Sequence, residues 1–154
     1  MAEETEKLSY RYIIENAERH FLSVDHKWML WVWCNVVLIK PTGKWSPEDA
    51  EIYINQFFAL FKSLKTTWPK VYYVLDMNSW ELQTEEFRRY LRANWTKLFN
   101  REDLILCFVE AKAMKRIIWT SIFQLIDMQD RLFLFEDFSE AFAWIRGRLI
   151  RNGT

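Results

Sequence analysis

The sequence predicts a single α/β domain, a mixed and mostly parallel sheet of four to five strands with helices packed on it, preceded by an N-terminal extension over residues 1–20. Three observations predict it. The chain closes on RLFLFEDFSEAFAWIRGRL, where an alternating apolar strand passes at once into a helix start and a short amphipathic helix, the repeating unit of such domains. VYYVL (71–75) and LILCFV (104–109) are short, nearly continuous apolar runs, the form of parallel strands covered on both faces. Each is followed by apolar residues at three-four spacing, the signature of a helix lying on a sheet. At 154 residues the chain has the size of one domain and hides roughly two-thirds of its extended surface on folding.

Composition excludes several classes. Lys plus Arg and Asp plus Glu both number 21, so no overall field draws the chain to nucleic acid or to an anionic membrane. The longest apolar run, Trp28 to Ile39, is interrupted by Asn35 and too short to span a bilayer, and the opening MAEETEK does not read as a signal peptide. Cys34 and Cys107 lie in apolar runs with no second Cys or His at metal spacing. They read as buried, reduced thiols of a cytoplasmic protein, with a disulfide between them disfavoured. Three glycines, at 43, 147 and 153, cannot assemble a phosphate-cradling loop. The oddity is aromatic: 9 Trp, 12 Phe and 6 Tyr. Filling a small core with large side chains is the leading explanation, and an aromatic-lined pocket or partner surface the other.

Residues 1–19 fit both a strand, through Leu8, Tyr10, Tyr12 and Ile14, and a helical face through Tyr10, Ile13, Ile14, Ala17 and Phe21; the helix is preferred. FLSV (21–24), a polar turn at Asp25, His26 and Lys27, and MLWVW predict a hairpin. The second strand continues through a bulge at Asn35 into VVLI (36–39) and ends at Pro41, Thr42 and Gly43. Ser46, Pro47, Glu48 and Asp49 form a helix start with a capping box. That helix runs to Leu64 and buries Ile54, Phe57, Phe58, Phe61 and Leu64. After the strand at 71–75 the chain turns at Asp76, and a helix over 84–99 begins at Thr84, with Phe87, Tyr90, Leu91, Trp95 and Leu98 on one face. The strand 104–109 leads to a helix over 112–128 carrying Met114, Ile117, Ile118, Ile122, Leu125 and Met128. LFLF (132–135) is followed by Ser139 as N-cap of a helix bearing Phe142, Ile145 and Leu149. The order is β-β-α-β-α-β-α-β-α, with helical connections that require mostly parallel pairing and right-handed crossovers.

Three segments carry a family resemblance: TGKWSPEDAE (42–51), KVYYVLDMNSW (70–80) and FLFEDFSEAFAWI (133–145). With the order of elements, residues 21–150 resemble the STAS domain, and within it the divergent stand-alone bacterial SpoIIAA-like branch, which has also been grouped with sequences of a lipid-carrier type. The resemblance implies a non-enzymatic regulatory or protein-interaction module. Anti-sigma antagonists of the family carry a phosphorylatable Ser within Asp-Ser-Ser-Gly at the start of the helix after the central strand. Here VLDMNSWELQTEEF stands in that stretch, and Glu85 falls where the family has its acceptor.

Asp76 ends the central strand on the side where open parallel sheets place ligand crevices, but turn chemistry favours for it the capping of the amides of Asn78 or Ser79. Ser79 and Thr84 are hydroxyls at a loop and a helix start, with ordinary capping as the alternative to a functional role. Glu85, Glu86, Arg88, Arg89 and Arg92 form a charged helix face, with Glu85 and Arg89 at ion-pair spacing. Asp76, Asn78, Ser79, Thr84 and Glu85 are therefore the candidate partner or phospho-switch surface. His20 and His26 flank the first strand; Asp25 beside His26 lacks a nucleophile or oxyanion donor, so both histidines are expected to be exposed turn residues. No cofactor or metal is expected. The expected partner is another protein, with a homodimer through the apolar residues of the N-terminal segment, and a small apolar ligand or lipid as the alternative.

Overall fold

Ser9 Oγ accepts a hydrogen bond from Tyr12 N at 3.1 Å, and this cap starts the first substantial helix. The computed structural model describes residues 2–99, 101–124 and 132–151. Among them lie α1 (Ala2–Glu6), α2 (Tyr10–Asn16), β1 (Arg19–Leu22), β2 (Trp28–Trp33), β3 (Val36–Pro41), α3 (Pro47–Lys65) and β4 (Val71–Asp76). α4 (Glu85–Phe99), β5 (Leu104–Val109), α5 (Ala113–Gln124), β6 (Leu132–Phe135) and α6 (Phe138–Arg151) follow. The six strands form one sheet in sequence order. β1, β2 and β3 pair antiparallel, and β3 to β6 pair parallel.

The sheet has one strand more than the upper count the sequence suggests. The surplus arises at Cys34 and Asn35, where a two-residue turn joins Trp33 to Val36 instead of a bulge in one long strand. Such turns need positive φ and normally announce themselves with Gly. Here Cys34 takes φ 51, and the apolar run on both sides hides the reversal. Asn35 is held inward: its Nδ2 donates to Lys70 O at 3.0 Å, and its O accepts from Tyr72 N at 2.8 Å. β1 also begins and ends two residues earlier than FLSV, because Ser23 Oγ accepts from Lys27 N and Trp28 N and turns the chain there.

Alternation along the interior strands sorts the core into two layers. Leu30, Val32, Val37, Ile39, Val71, Tyr73, Leu75, Leu104, Leu106 and Phe108 face α3, α4 and α5. Trp31, Trp33, Val36, Leu38, Tyr72, Val74, Ile105, Cys107 and Val109 face α6 and the N-terminal segment. Every residue of β4 and β5 is buried, as a parallel sheet covered on both sides requires. Ser46 caps α3 with the full reciprocal box to Asp49, and the helix buries Tyr53, Ile54, Phe57, Leu60, Phe61 and Leu64, with Phe58 half-buried.

Three expectations are corrected. Met114 and Ile117 lie on the exposed side of α5, and Trp119, fully buried, is the residue that anchors it. The apolar count along that helix could not reveal which side a single Trp would claim. α6 is capped by Asp137, whose Oδ1 accepts from Glu140 N at 2.8 Å, and Ser139 lies inside its first turn. Cys34 is half-exposed rather than buried, and burial together with Glu18 pushes its thiol up to about 12. The side chains of Trp95, Leu98 and Ile122, and Leu125 and Met128, lie outside the described residues.

The N-terminal segment packs on its own domain. Leu8 and Ile13 are fully buried, Arg146 donates to Leu8 O at 2.7 Å, and Tyr10 meets the Phe138 ring at 4.4 Å. Of the apolar residues through which a homodimer is expected, Leu8 and Ile13 are covered within the chain, while Ile14 stays 39% exposed. No helix of the described residues is long and apolar enough to cross a membrane. Phe57→Ala and Leu106→Ala each remove a buried side chain from the first layer, and urea unfolding should register a loss of about 2–5 kcal/mol for each; a loss below about 0.5 kcal/mol would place them outside the core.

Candidate functional site

Asp76 and Glu110, the buried carboxylates among the described residues, lie at the carboxyl ends of β4 and β5. Asp76, the last residue of β4, is 4% exposed. Its Oδ1 accepts from Asn78 N at 3.1 Å and Asn78 Nδ2 at 2.9 Å, which is the turn-capping role anticipated for it. Its Oδ2 accepts from the Tyr10 hydroxyl at 3.0 Å, across 66 residues of sequence. Burial, with the Asp76 charge added, holds the Tyr10 phenol above its ordinary range. Glu110, one residue beyond β5, is fully buried. Its Oε1 accepts from Lys112 N at 3.0 Å, and its Oε2 forms an ion pair with Lys115 Nζ at 3.0 Å without a directed hydrogen bond. Lys115 also donates to Met77 O and Asn78 O, at 3.2 and 3.4 Å. One lysine therefore ties the ends of two strands together.

From Asp76 the chain runs to α4 through a loop whose residues divide by role. Met77, Trp80 and Gln83 point into the protein, whereas Ser79, Glu81, Leu82 and Thr84 are exposed. The loop is stitched to the segment after β3. Gly43 N donates to Ser79 O and Glu81 N donates to Gly43 O, each at 3.1 Å, while Gln83 Nε2 donates to Gly43 O and its Oε1 accepts from Trp45 N. Gly43 sits at φ +67, a conformation in which a side chain would be strained. Trp80 enters a buried aromatic cluster, 5.1 Å from Trp45 and stacked at 5.0 Å on Trp119, and Trp45 continues to Trp28 and Tyr53. The aromatic excess goes largely into this core.

The loop thus presents a fixed outer surface. Thr84 Oγ1 accepts from Phe87 N at 3.2 Å and caps α4, and Glu85 pairs with Arg89 at 3.2 Å, both as anticipated. Beside the loop lies a cleft of about 420 Å3 lined by Lys44, Ser79, Glu81, Leu82, Lys112 and Lys115 among others. All five sequence candidates, Asp76, Asn78, Ser79, Thr84 and Glu85, belong to this one region, but only Ser79, Thr84 and Glu85 are exposed, with Asn78 half-buried. Sequence reasoning missed Tyr10, Gly43, Gln83, Glu110 and Lys115. Of these only Gly43, one of three glycines, carried a local signal; Gln83 acts through bonds to the distant Gly43 and Trp45, and the others reach the loop through long-range packing. The histidines lie elsewhere: His20 stacks on Trp31 at 5.1 Å, and Asp25 accepts from Ser23 Oγ at 3.0 Å. Among the described residues no group of three or more His, Cys, Asp and Glu forms a metal-binding set.

No family model, curated protein or solved structure matches the chain.

Lys115→Met should destabilise the fold by about 3–5 kcal/mol, because it leaves the Glu110 carboxylate buried without its cation. The double variant with Glu110→Met should recover most of that loss in urea unfolding; equal losses in both would assign Lys115 no pairing role. An alkaline limb is also expected. Burial raises the phenols of Tyr10, Tyr53 and Tyr73, so the folded state keeps protons that the unfolded chain releases near about pH 10. Their contribution is complete below that pH and is lost as pH rises toward the folded values. Unfolding free energy should fall between about pH 9 and pH 11, less steeply in Tyr10→Phe; an identical slope would remove Tyr10 from the account.

Proposed function

We propose that the chain is a non-enzymatic regulatory or protein-interaction module of the STAS, SpoIIAA-like type, with the surface from Asp76 to Arg92 as its partner face. The observation that carries the reading is the division of the loop after β4. Met77, Trp80 and Gln83 anchor it from below, and Ser79, Glu81, Leu82, Thr84 and Glu85 stand outward on a backbone held at Gly43. A surface fixed before binding loses little conformational entropy on association. Leu82, 43% exposed among charged neighbours, supplies the apolar anchor that such a face needs.

The resemblance supports the same place. Two of its segments, 42–51 and 70–80, lie far apart in sequence and meet at the bridge between Gly43 and Trp80. The apolar-ligand alternative draws on the aromatic excess, and Trp28, Trp45, Trp80 and Trp119 are buried against neighbouring rings. This arrangement favours the interaction module.

Affinity capture from the native cell with the full chain tests the reading. A partner retained by the unaltered protein should be lost with Leu82→Asp and with Glu85→Lys, and kept with Glu102→Lys, an exposed residue ahead of β5 at the opposite end of the strands. If the same proteins are captured by all four, the face at 76–92 is not the partner surface.

A further inference from the structure

β1 ends the sheet, and no described strand pairs with its outer edge. Ser23 N donates to Trp28 O at 3.1 Å, and the register pairs Phe21 with Leu30 and Arg19 with Val32. Antiparallel alternation then turns the backbone groups of Arg19, Phe21 and Ser23 toward β2 and those of His20 and Leu22 outward. An unpaired edge of this kind is a template for another strand. Beside it, Leu22, Val24 and Ile52, exposed at 47%, 102% and 60%, border a groove of about 460 Å3 that also takes in Trp28, Asp25 and Asp49.

Charge is polarised along this edge. α3 runs beside it, with Ile52 in the groove at one end and Ser63 within 3.4 Å of Arg19 at the other. The Leu22 end therefore carries Asp25, Glu48 and Asp49, of which Asp49 is paired with Lys27 at 2.8 Å. The Arg19 end carries Arg19, His20 and the exposed Lys62, with Lys65 engaged by Asp103 at 3.2 Å and Glu18 engaged by Cys34 N at 3.1 Å. An antiparallel copy of the same edge lays each acidic end on a basic end.

We propose that a second copy of this chain docks on β1, the two β1 strands pairing antiparallel about a two-fold axis at Phe21, so that two six-stranded sheets become one. In that register His20 of each copy pairs with Leu22 of the other, and their four outward N–H and C=O groups on each side are satisfied. Residue 19 faces residue 23, which brings Arg19 beside the acidic turn and lays its aliphatic stem toward the Leu22–Val24 groove. The contact is isologous and closes, as a symmetric pair must. It uses neither the N-terminal apolar residues nor the face at 76–92.

Charge reversal on the full chain decides the matter. One variant carries Arg19→Glu with Lys62→Glu, the other Asp25→Lys with Glu48→Lys; all four positions are exposed. Sedimentation equilibrium should give a dimer for the unaltered chain and association at least about tenfold weaker for each variant alone, since like charges then meet at both ends. An equimolar mixture of the two should recover the dimer, and amide exchange at His20 and Leu22 should slow as it forms. A chain that stays monomeric at about 100 μM, a dimer indifferent to both variants, or a mixture that fails to associate overturns the proposal.

Discussion

Burial of the interior strands on both faces is the constraint on which the rest depends. β4 and β5 place every side chain in a layer, so neither can shift register by one residue without exchanging the two cores. That rigidity fixes where the strands end, and their carboxyl ends are where Asp76 and Glu110 emerge side by side. The polar cluster follows from it. A buried carboxylate is tolerated only when its oxygens are satisfied, and here Tyr10 and Asn78 serve one, while Lys112 N and Lys115 serve the other. These bonds draw α2, the loop after β4 and α5 to the same end of the sheet.

The aromatic layer works with this cluster. Trp80 is anchored from below by Trp45 and Trp119, while the backbone on either side of it is held from the flank by Gly43. Packing thus fixes the loop's depth, and the hydrogen bonds fix its path. What is left outward is a short polar surface with one apolar residue, Leu82, and the capped start of α4. Its separation from the β1 edge gives the domain two distinct faces.

Much of this was legible in the sequence where periodicity is strong. The capping box at Ser46, the strands at 71–75 and 104–109, and the buried stripe through Phe57 and Phe61 all depend on neighbours within a few residues. The turn at Cys34 was hidden, because neither Gly nor a polar run marks it and the apolar pattern continues across it. The face of α5 was also hidden: Met114 and Ile117 match the apolar period, but burial of Trp119 against Trp80 sets the rotation of the helix. For the site, Asp76, Asn78 and Thr84 could be assigned as caps from turn chemistry. Tyr10, Gln83, Glu110 and Lys115 could not, since each acts through contacts that only the fold brings together.

The bonds of the loop to Gly43 and the seating of Trp80 should hold Met77 to Thr84 rigid before any partner arrives. Backbone 15N relaxation on the free chain tests this rigidity most directly. Order parameters of about 0.85 along the loop, equal to those of β4, are the predicted result, and values below about 0.6 at Ser79 to Leu82 would contradict it.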